Sequence, residues 1–431
     1  MQFELTREYI DDLRILIDQN NEAETKIKIE DLHAADIADI LDELNTEEAK
    51  YIFLLLDDDT GADVLSEIEE DDRERFIKVL PIEVIAKKFI DHMDSDDAAD
   101  LIGGLPDEKQ EEILSQIEDV ETAGDIVDLL HYDEDTAGGL MAKELVIVNE
   151  NWTVLTCLRE LSRQAEDIDE IYYVYVVDDD NKLIGTLSLK KMILSPTSAK
   201  IINIYEPDVM SVHTDESDEE VSLIMEKYDL VALPVVDSIG RLMGRITIDD
   251  VVDVIRDEAE KDYQMASGIS EDIESNDSVW LQTRARLPWL LIGLVGGVFA
   301  AKVISIYETG LDDTPAMAFF IPLITAMAGN VGVQSSAIIV QGIASNSLGI
   351  ESTFSRLMRE LGGALINGLT CSSLLLLYNY FFSDSFALTI SVSVALFAVI
   401  IFAAIAGTLI PLMLNRAKID QLLQQVHLLQ L

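Results

Sequence analysis

Residues 320–344, FIPLITAMAGNVGVQSSAIIVQGIA, form an apolar segment with a polar centre. At ~1.5 Å per residue, a helix of this length crosses a bilayer. A lipid-facing helix would not favour the residues at its middle, which are Gly329, Asn330, Gly332, Gln334, Ser335 and Ser336. In a membrane such residues face protein or water, and an amide oxygen suits a cation that keeps its hydration shell. The segment therefore predicts a pore lining, with Gly329, Asn330 and Gln334 as candidate pore residues. A tight packing seam between helices is the alternative.

Four segments, at about 287–307, 315–344, 358–382 and 386–414, are apolar and long enough to span a membrane. If the N-terminus is cytoplasmic, the acids Asp312, Asp313 and Asp384 lie outside. The basic residues Arg284, Arg286, Arg356, Arg359, Arg416 and Lys418 then lie inside. This distribution follows the positive-inside rule. It predicts a multi-pass protein of the cell (inner) membrane with cytoplasmic N-terminal domains.

Charge is concentrated in the first part of the chain. Of 81 acidic residues only seven follow residue 277, where seven basic residues balance them, so the net charge of −51 belongs to residues 1–277. Such a surface repels nucleic acid and attracts cations, although a merely solubilising surface is the alternative. Cys157 and Cys371 form no disulfide framework, and the five histidines show no zinc spacing. No nucleophile–base pair or phosphate-binding glycine loop is evident, so we predict no enzymatic activity.

Residues 1–131 consist of short helical phrases such as LHAADIADILDEL and SDDAADLIGGL. Apolar residues recur at helical spacing, acids fill the other face, and Asp, Ser or Pro begins each phrase. Short amphipathic helices of this kind stack on their neighbours to bury their apolar faces. The pattern predicts an all-α superhelical N-terminal domain.

Residues 136–195 and 203–256 repeat one β-α-β-β-α order within a predicted domain at 132–256. Because both copies keep this order, with strands IYYVYVV and VALPVVD, the tandem resembles a pair of CBS domains. That resemblance implies an adenine nucleotide held by an Asp in a Ser/Thr-x-x-Asp pattern. Thr247 and Asp250 fit the pattern in the second copy, whereas Lys191 replaces the Asp in the first. Tyr173 and Asp250 are the candidate nucleotide contacts, and ATP is the candidate ligand.

A row of carboxylates begins at the last predicted helix of the repeat and runs towards the membrane segments. Pairs such as 249/253 and 258/262 share a helix face, so like charges crowd one another unless a cation relieves them. We favour a metal-dependent switch over a merely solvated helix. The row comprises Asp249, Asp250, Asp253, Asp257, Glu258, Glu260 and Asp262.

The motifs HYDEDTAGGLM, TIDDVVDVI, AGNVGVQ and GTLIPLMLNR, in this domain order, resemble the MgtE family of magnesium channels and transporters. The resemblance implies a multidomain protein: an all-α N-terminal domain (1–131), a CBS pair (132–256), a connecting helix and linker (257–284) and a transmembrane bundle (285–414). It also implies a homodimer that imports Mg²⁺ and closes when Mg²⁺ binds acids of the cytoplasmic domains. By family position, the regulatory Mg²⁺ ligands are Asp94, Asp97, Glu219, Asp229, Asp249, Asp250, Asp253, Glu258 and Asp262.

The C-terminus departs from the family pattern. The family continues into a fifth membrane helix through a phrase like IDPALATGPFITT, whereas here Ile419 and Asp420 are followed by QLLQQVHLLQL. We hypothesise a single-base deletion, because one coding of these eleven residues, preceded by one C, gives PALATGPFITT in the shifted frame; a chance match is the alternative. We therefore expect 415–431 to be an aberrant tail, which resequencing would test. The alternative function is a membrane-tethered CBS-type metal or nucleotide sensor that does not conduct.

Overall fold

A computed structural model describes residues 3–68, 73, 76–77, 79–164, 168, 171–270, 273, 277–344, 353–382 and 385–416. The chain divides into two compact units, Met1–Arg256 and Asp257–Leu431. From residue 417 onward, the predicted tail lies outside the described residues.

The first unit begins with short helices, as the periodicity predicts. Several of their N-termini are capped by side chains; at α4, Asn45 Oδ1 accepts from the Glu48 amide at 3.0 Å while Glu48 Oε2 accepts from the Asn45 amide at 3.0 Å. After α6 the chain continues as a π-helix, Ile85–Phe89, and a 3-10 turn, Ile90–His92. The α-helices are α1 Arg7–Asp18, α2 Glu22–Ile29, α3 Ala34–Asp42, α4 Thr46–Leu55, α5 Asp58–Ser66, α6 Ile82–Val84, α7 Ser95–Gly103, α8 Asp107–Leu114 and α9 Val120–Leu129.

An aromatic cluster lies in the core of these helices. The Phe53 ring packs edge-on against Phe76 and Phe89, with 5.6 Å between ring centroids in both pairs. All three side chains are fully buried, and each such burial contributes about 1.5–3 kcal/mol. The apolar faces of the helices are therefore buried against one another, which confirms the predicted all-α fold.

The rest of the first unit is the predicted tandem of β-α-β-β-α copies. In each copy the first strand pairs parallel with the second and the second antiparallel with the third, with a bulge at the same place in the hairpin. This confirms a CBS pair. Its elements are β1 Val146–Asn149, α10 Val154–Gln164, β2 Val174–Val177, β3 Leu183–Leu187, α11 Leu189–Leu194, β4 Val212–His213, α12 Asp218–Tyr228, β5 Ala232–Val236, β6 Leu242–Thr247 and α13 Ile248–Ala266.

The residues that precede each copy form a β-bridge with the last strand of the other copy. Ala142 exchanges two backbone hydrogen bonds with Arg245 on β6, at 2.8 and 2.9 Å between N and O. Glu206 does the same with Thr186 on β3, also at 2.8 and 2.9 Å. We call residues 142–144 and 205–206 the lead segments. Because they are exchanged, each lead segment connects the two copies through backbone hydrogen bonds.

Among its described residues, the second unit contains four helices that are long and apolar enough to cross a membrane, as predicted. The first begins at Val279, earlier than the predicted span, because Ser278 caps it and helical hydrogen bonding does not depend on polarity. Its elements are α14 Val279–Ile306, α15 Glu308–Asp313, a 3-10 segment Pro315–Phe320, α16 Ile321–Ala344, α17 Thr353–Phe382 and α18 Phe386–Arg416. The connecting helix is continuous with the last CBS helix, since both belong to α13.

Helix α18 packs against both α16 and α17. Gly407 on α18 lies so close to α16 that a Cβ there would come within 2.5 Å of the Gly332 carbonyl oxygen. Small residues allow this close approach of two helix backbones. The packing-seam interpretation of residues 320–344 is thus correct for one side of α16.

Candidate metal site

Three carboxylates from two segments meet at the start of α7. Asp94, Asp96 and Glu144 each offer an oxygen, and these oxygens lie within 4.8 Å of one another. Asp94 is exposed, whereas Asp96 and Glu144 are partly buried. Since like charges this close repel, the arrangement favours a bound cation.

Serine 95 and the lead segment 142–144 hold this cluster together. The Ser95 hydroxyl donates to Glu144 Oε2 at 2.9 Å, and the Ser95 amide donates to Glu144 Oε1 at 3.2 Å. The same hydroxyl accepts from the Lys143 amide at 2.8 Å, and Lys143 Nζ binds Asp128 Oδ2 on α9 at 2.6 Å. The lead segment therefore joins the helical domain to β6 of the second CBS copy.

The first turn of α13 adds further carboxylates. Asp250 Oδ2 accepts from the Thr247 amide at 3.1 Å and from its hydroxyl at 2.6 Å, so Asp250 caps its own helix. Asp249 and Asp253 lie beside it on the same helix and are exposed.

The pKa shifts indicate that these carboxylates act on one another electrostatically. Burial raises the pKa of Asp96 well above its usual range, and Asp250, Asp97 and Glu144 raise it further. Burial also raises the pKa of Asp97, with Asp249 and Asp253 adding to it against a hydrogen bond from Ser66 and the charge of Arg73.

Burial and neighbouring charges also raise the pKa of two further carboxyl groups. Burial raises the pKa of Asp250 to about 6, and Asp249 and Asp97 add to the shift while hydrogen bonds from Thr247 oppose it. Burial raises the pKa of Glu67, with His33 opposing and Asp253 and Asp97 contributing. We call the whole set the acidic junction: Glu67, Asp94, Asp96, Asp97, Glu144, Asp249, Asp250 and Asp253.

The acidic junction has the chemistry of a site for a hard divalent cation. Its donors are carboxylate oxygens, which Mg²⁺ and Ca²⁺ prefer. Burial and mutual repulsion both raise the free energy of the ionised, metal-free state, and a divalent cation would relieve both. The residues present therefore fit a regulatory Mg²⁺.

Sequence reasoning found five of these eight residues and missed Glu67, Asp96 and Glu144. Asp96 could have been predicted, because it lies between Asp94 and Asp97 in the sequence. Glu67 and Glu144 carried no local signal, because only the tertiary fold brings them to the start of α7.

Four other predicted ligands lie elsewhere. Glu219 is exposed in the first turn of α12, and Asp229 ends that helix in the left-handed conformation at φ 51°. Glu258 and Asp262 lie further along α13, in the second unit. Lys261 Nζ forms an ion pair with Glu258 Oε1 at 3.1 Å, so a cation at Glu258 would compete with this lysine.

Both predicted nucleotide contacts interact with other residues of the chain. The Tyr173 and Tyr175 rings lie 6.4 Å apart at a tilt, and Asp250 accepts the two Thr247 hydrogen bonds given above. In the first copy, Lys191 Nζ lies 3.7 Å from Glu206 Oε1. Nucleotide binding stays a prediction.

Helix α16 has one buried and one exposed face. Gly332, Ser335 and Ser336 are buried, whereas Asn330 and Gln334 are exposed and Gly329 is half-buried. Gln341 is also exposed. Asn330, Gln334 and Gln341 have the spacing i, i+4, i+11, so the three side chains lie on the same face of the helix. We call Asn330, Gln334 and Gln341 the amide stripe. Gln341 was missed, although this spacing is visible in the sequence.

The fold and the acidic junction define a class: CBS-domain proteins that combine a unit carrying a cluster of carboxylates with a helical unit of membrane-spanning length. Family models match for the MgtE intracellular N domain at residues 32–135, the CBS domain at 137–195 and 201–257, and the divalent cation transporter domain MgtE at 321–423. The magnesium transporter MgtE of Thermus thermophilus is 33% identical over 399 residues, covering 91% of this chain and 88% of the relative. This chain belongs to the MgtE family.

Other known proteins agree. The magnesium transporter MgtE of Bacillus subtilis is 29% identical over 405 residues, covering 91% of this chain and 90% of that one. A crystal structure of the soluble part of a magnesium transporter superposes with a TM-score of 0.52 at 32% identity, covering 58% of this chain and 98% of that one. The cytosolic domain of the Mg²⁺ channel MgtE in complex with ATP gives 0.52 at 34% identity, over 57% and 99%.

Proposed function

We propose that this chain imports Mg²⁺ across the cell membrane as a homodimer, with its N-terminal domains in the cytoplasm, and that Mg²⁺ bound at the acidic junction closes the path. One observation carries the gating part. Carboxylates from α7, from the lead segment and from the start of α13 converge, and the pKa values of Asp96, Asp97 and Asp250 among them are raised. A cation that neutralises them acts directly on the helix that continues into the second unit.

The physics of the switch is electrostatic. Without Mg²⁺, ionised carboxylates on α7 and α13 repel one another and favour separation of these helices. With Mg²⁺ bound, the repulsion becomes attraction and α13 is held against the helical domain. Glu219, Asp229, Glu258 and Asp262 are proposed as further ligands of regulatory Mg²⁺.

The amide stripe is the proposed pore lining. Neutral amide oxygens can accept hydrogen bonds from the water shell of Mg²⁺, which the ion sheds reluctantly. Carboxylates at the same place would bind the ion more tightly and slow its release. Asn330 and Gln334 are exposed on a helix that is long and apolar enough to span a membrane.

Flux through proteoliposomes tests conduction. The full chain would be reconstituted with a Mg²⁺ indicator inside the vesicles, and we expect Gln334→Ala to reduce the initial flux several-fold. Leu374→Ala, at an exposed apolar position on α17, is the matched control. A wild-type flux equal to that of empty vesicles would favour the second candidate, a membrane-tethered sensor of metal or nucleotide such as ATP.

Limited proteolysis tests gating independently of conduction. Arg256 and Lys261 lie on α13 and offer trypsin two cleavage sites. We expect millimolar Mg²⁺ to slow cleavage at both sites in the full chain, whereas Na⁺ at equal ionic strength should not. Equal cleavage rates with Mg²⁺ and with chelator would contradict the switch.

A further inference from the structure

One acidic side chain lies within the membrane-spanning helices and contacts the buried face of α16. The Ser335 hydroxyl on α16 donates to Glu360 Oε1 on α17 at 2.5 Å. Ser335 is 3% exposed and Glu360 is half-buried. A carboxylate is costly in a membrane-spanning segment, and such residues are rare there unless they serve the transport path or its geometry.

The position of Ser335 around α16 relates this contact to the orientation of the amide stripe. Successive residues are about 100° apart around a helix, so Ser335 lies a quarter turn or so from Gln334 and on the opposite side from Asn330. The buried face of α16 is held to α18 by the close approach of Gly332 and Gly407. This contact is part of a longer packing of α16 against α18, in which Ser335 also lies beside Gly407.

The hydrogen bond to Glu360 adds a contact between Ser335 and a different helix, α17. A charge-assisted hydrogen bond is directional and roughly twice as strong as a neutral one. It therefore restrains the rotation of α16 further, in the orientation in which the amide stripe is exposed.

We infer that Glu360 is a positioning residue: through Ser335 it sets the rotation of α16 and so presents the amide stripe to the ion path. The inference rests on the proposed function for its consequence in transport. Its geometric part, the orientation of α16, does not depend on conduction.

The experiment measures the orientation of α16 directly. In the full chain carrying Cys157→Ser and Cys371→Ser, Gln334→Cys is labelled with a water-soluble thiol reagent in proteoliposomes. We expect Glu360→Ala to reduce the labelling rate at least fivefold. Glu360→Gln should keep the rate within about twofold, because its amide oxygen still accepts from Ser335.

Ser335→Ala removes the donor and should reproduce the effect of Glu360→Ala, and the double variant should be no worse than either single one. Additive effects, or an unchanged rate in Glu360→Ala, would overturn the inference. So would a Glu360→Gln variant as impaired as Glu360→Ala, because charge rather than the hydrogen bond would then matter. If Glu360→Ala does not fold, Ser335→Ala and Glu360→Gln still decide.

Transport is measured in parallel on vesicles that carry the same Glu360 and Ser335 variants with Gln334 unchanged. Loss of Mg²⁺ flux in step with the labelling rate supports the link to the ion path. Absence of flux in the unsubstituted chain, with the labelling pattern intact, would refute the proposed function and leave the positioning role standing.

Discussion

The two CBS copies share strand order, register and bulge, yet they are built into the molecule differently. The apolar residues of the second copy, among them Val221, Val235 and Ile246, belong to the same core as the helical domain. Those of the first copy, among them Val148, Val176 and Leu187, form a separate core. The shared fold therefore does not determine how a copy is packed: the second copy shares its core with the helical domain, whereas the first has a core of its own.

The copies also end differently. Thr247 and Asp250 cap α13 with a carboxylate inside the acidic junction, whereas Ser188 and Lys191 begin the six-residue helix α11 and Ser188 makes no side-chain cap hydrogen bond. One copy leads into a long acidic helix and the other into a loop. Four substitutions or conditions test whether this asymmetry carries the function.

The largest effect is expected from the bulge glycines. A Cβ on Gly244 would lie 2.7 Å from the Ala142 carbonyl oxygen, and one on Gly185 would lie 2.2 Å from that of Glu206. Both Gly244→Ala and Gly185→Ala should destabilise the soluble unit by about 1–3 kcal/mol, because a lead segment must move. Only Gly244→Ala should also weaken Mg²⁺-dependent protection of α13, by tenfold or more in midpoint concentration. Equal loss of protection in both would show that general instability is the cause.

The lead-segment carboxylates give the next effect. Glu144→Gln removes one charge from the acidic junction but keeps an acceptor for Ser95, so the midpoint of Mg²⁺ protection should rise about fivefold to tenfold, or ~1–1.4 kcal/mol. Glu206→Gln is the matched control in the other lead segment and should leave the midpoint unchanged. A shift in the control of the same size would mean that the overall charge of the unit, rather than this site, sets the affinity.

Proton uptake by the acidic junction gives a smaller effect. The pKa of Asp250 is raised to about 6 and the pKa values of Asp96 and Asp97 are also raised, whereas an unfolded Asp titrates near 3.9. Between pH ~4 and ~6 the folded state thus binds more protons than the unfolded state. The metal-free protein should therefore lose stability as pH rises through this window, and Mg²⁺ should restore it near pH 7. Calorimetric melting of the full chain in chelator would show this, and Asp250→Asn should flatten the curve.

The smallest effect comes from giving the first copy the cap of the second. Lys191→Asp places a carboxylate three residues after Ser188, where it can accept from the Ser188 amide as Asp250 does from Thr247. The exposed pair with Glu206 that is lost contributes little. We expect a gain of about 0.5–1 kcal/mol in chemical unfolding and no change in Mg²⁺ protection. Lys190→Asp, one residue earlier, is the control and should not gain.

Most of the fold followed from the sequence because its signals are local. Strand alternation, capping residues such as Asn45 and Asp57, and apolar length each act within one element. The acidic junction did not follow in full, because Glu144 reaches Ser95 only after Ala142 pairs with Arg245 on β6. The position of Glu360 opposite Ser335 likewise depends on the packing of two helices, which no spacing within either of them encodes.

Helix α13 runs without interruption from Ile248, beside the last strand of the sheet, to Ala266. Nineteen residues at ~1.5 Å each make a rod of about 28 Å, so a tilt of ~10° at its root moves its far end by roughly 5 Å, about one helical turn. An ion smaller than a water molecule, by shifting the root slightly, can thus produce a displacement comparable to the width of a hydrated ion. This amplification requires a stiff helix, and a kink in α13 would reduce the displacement of its far end.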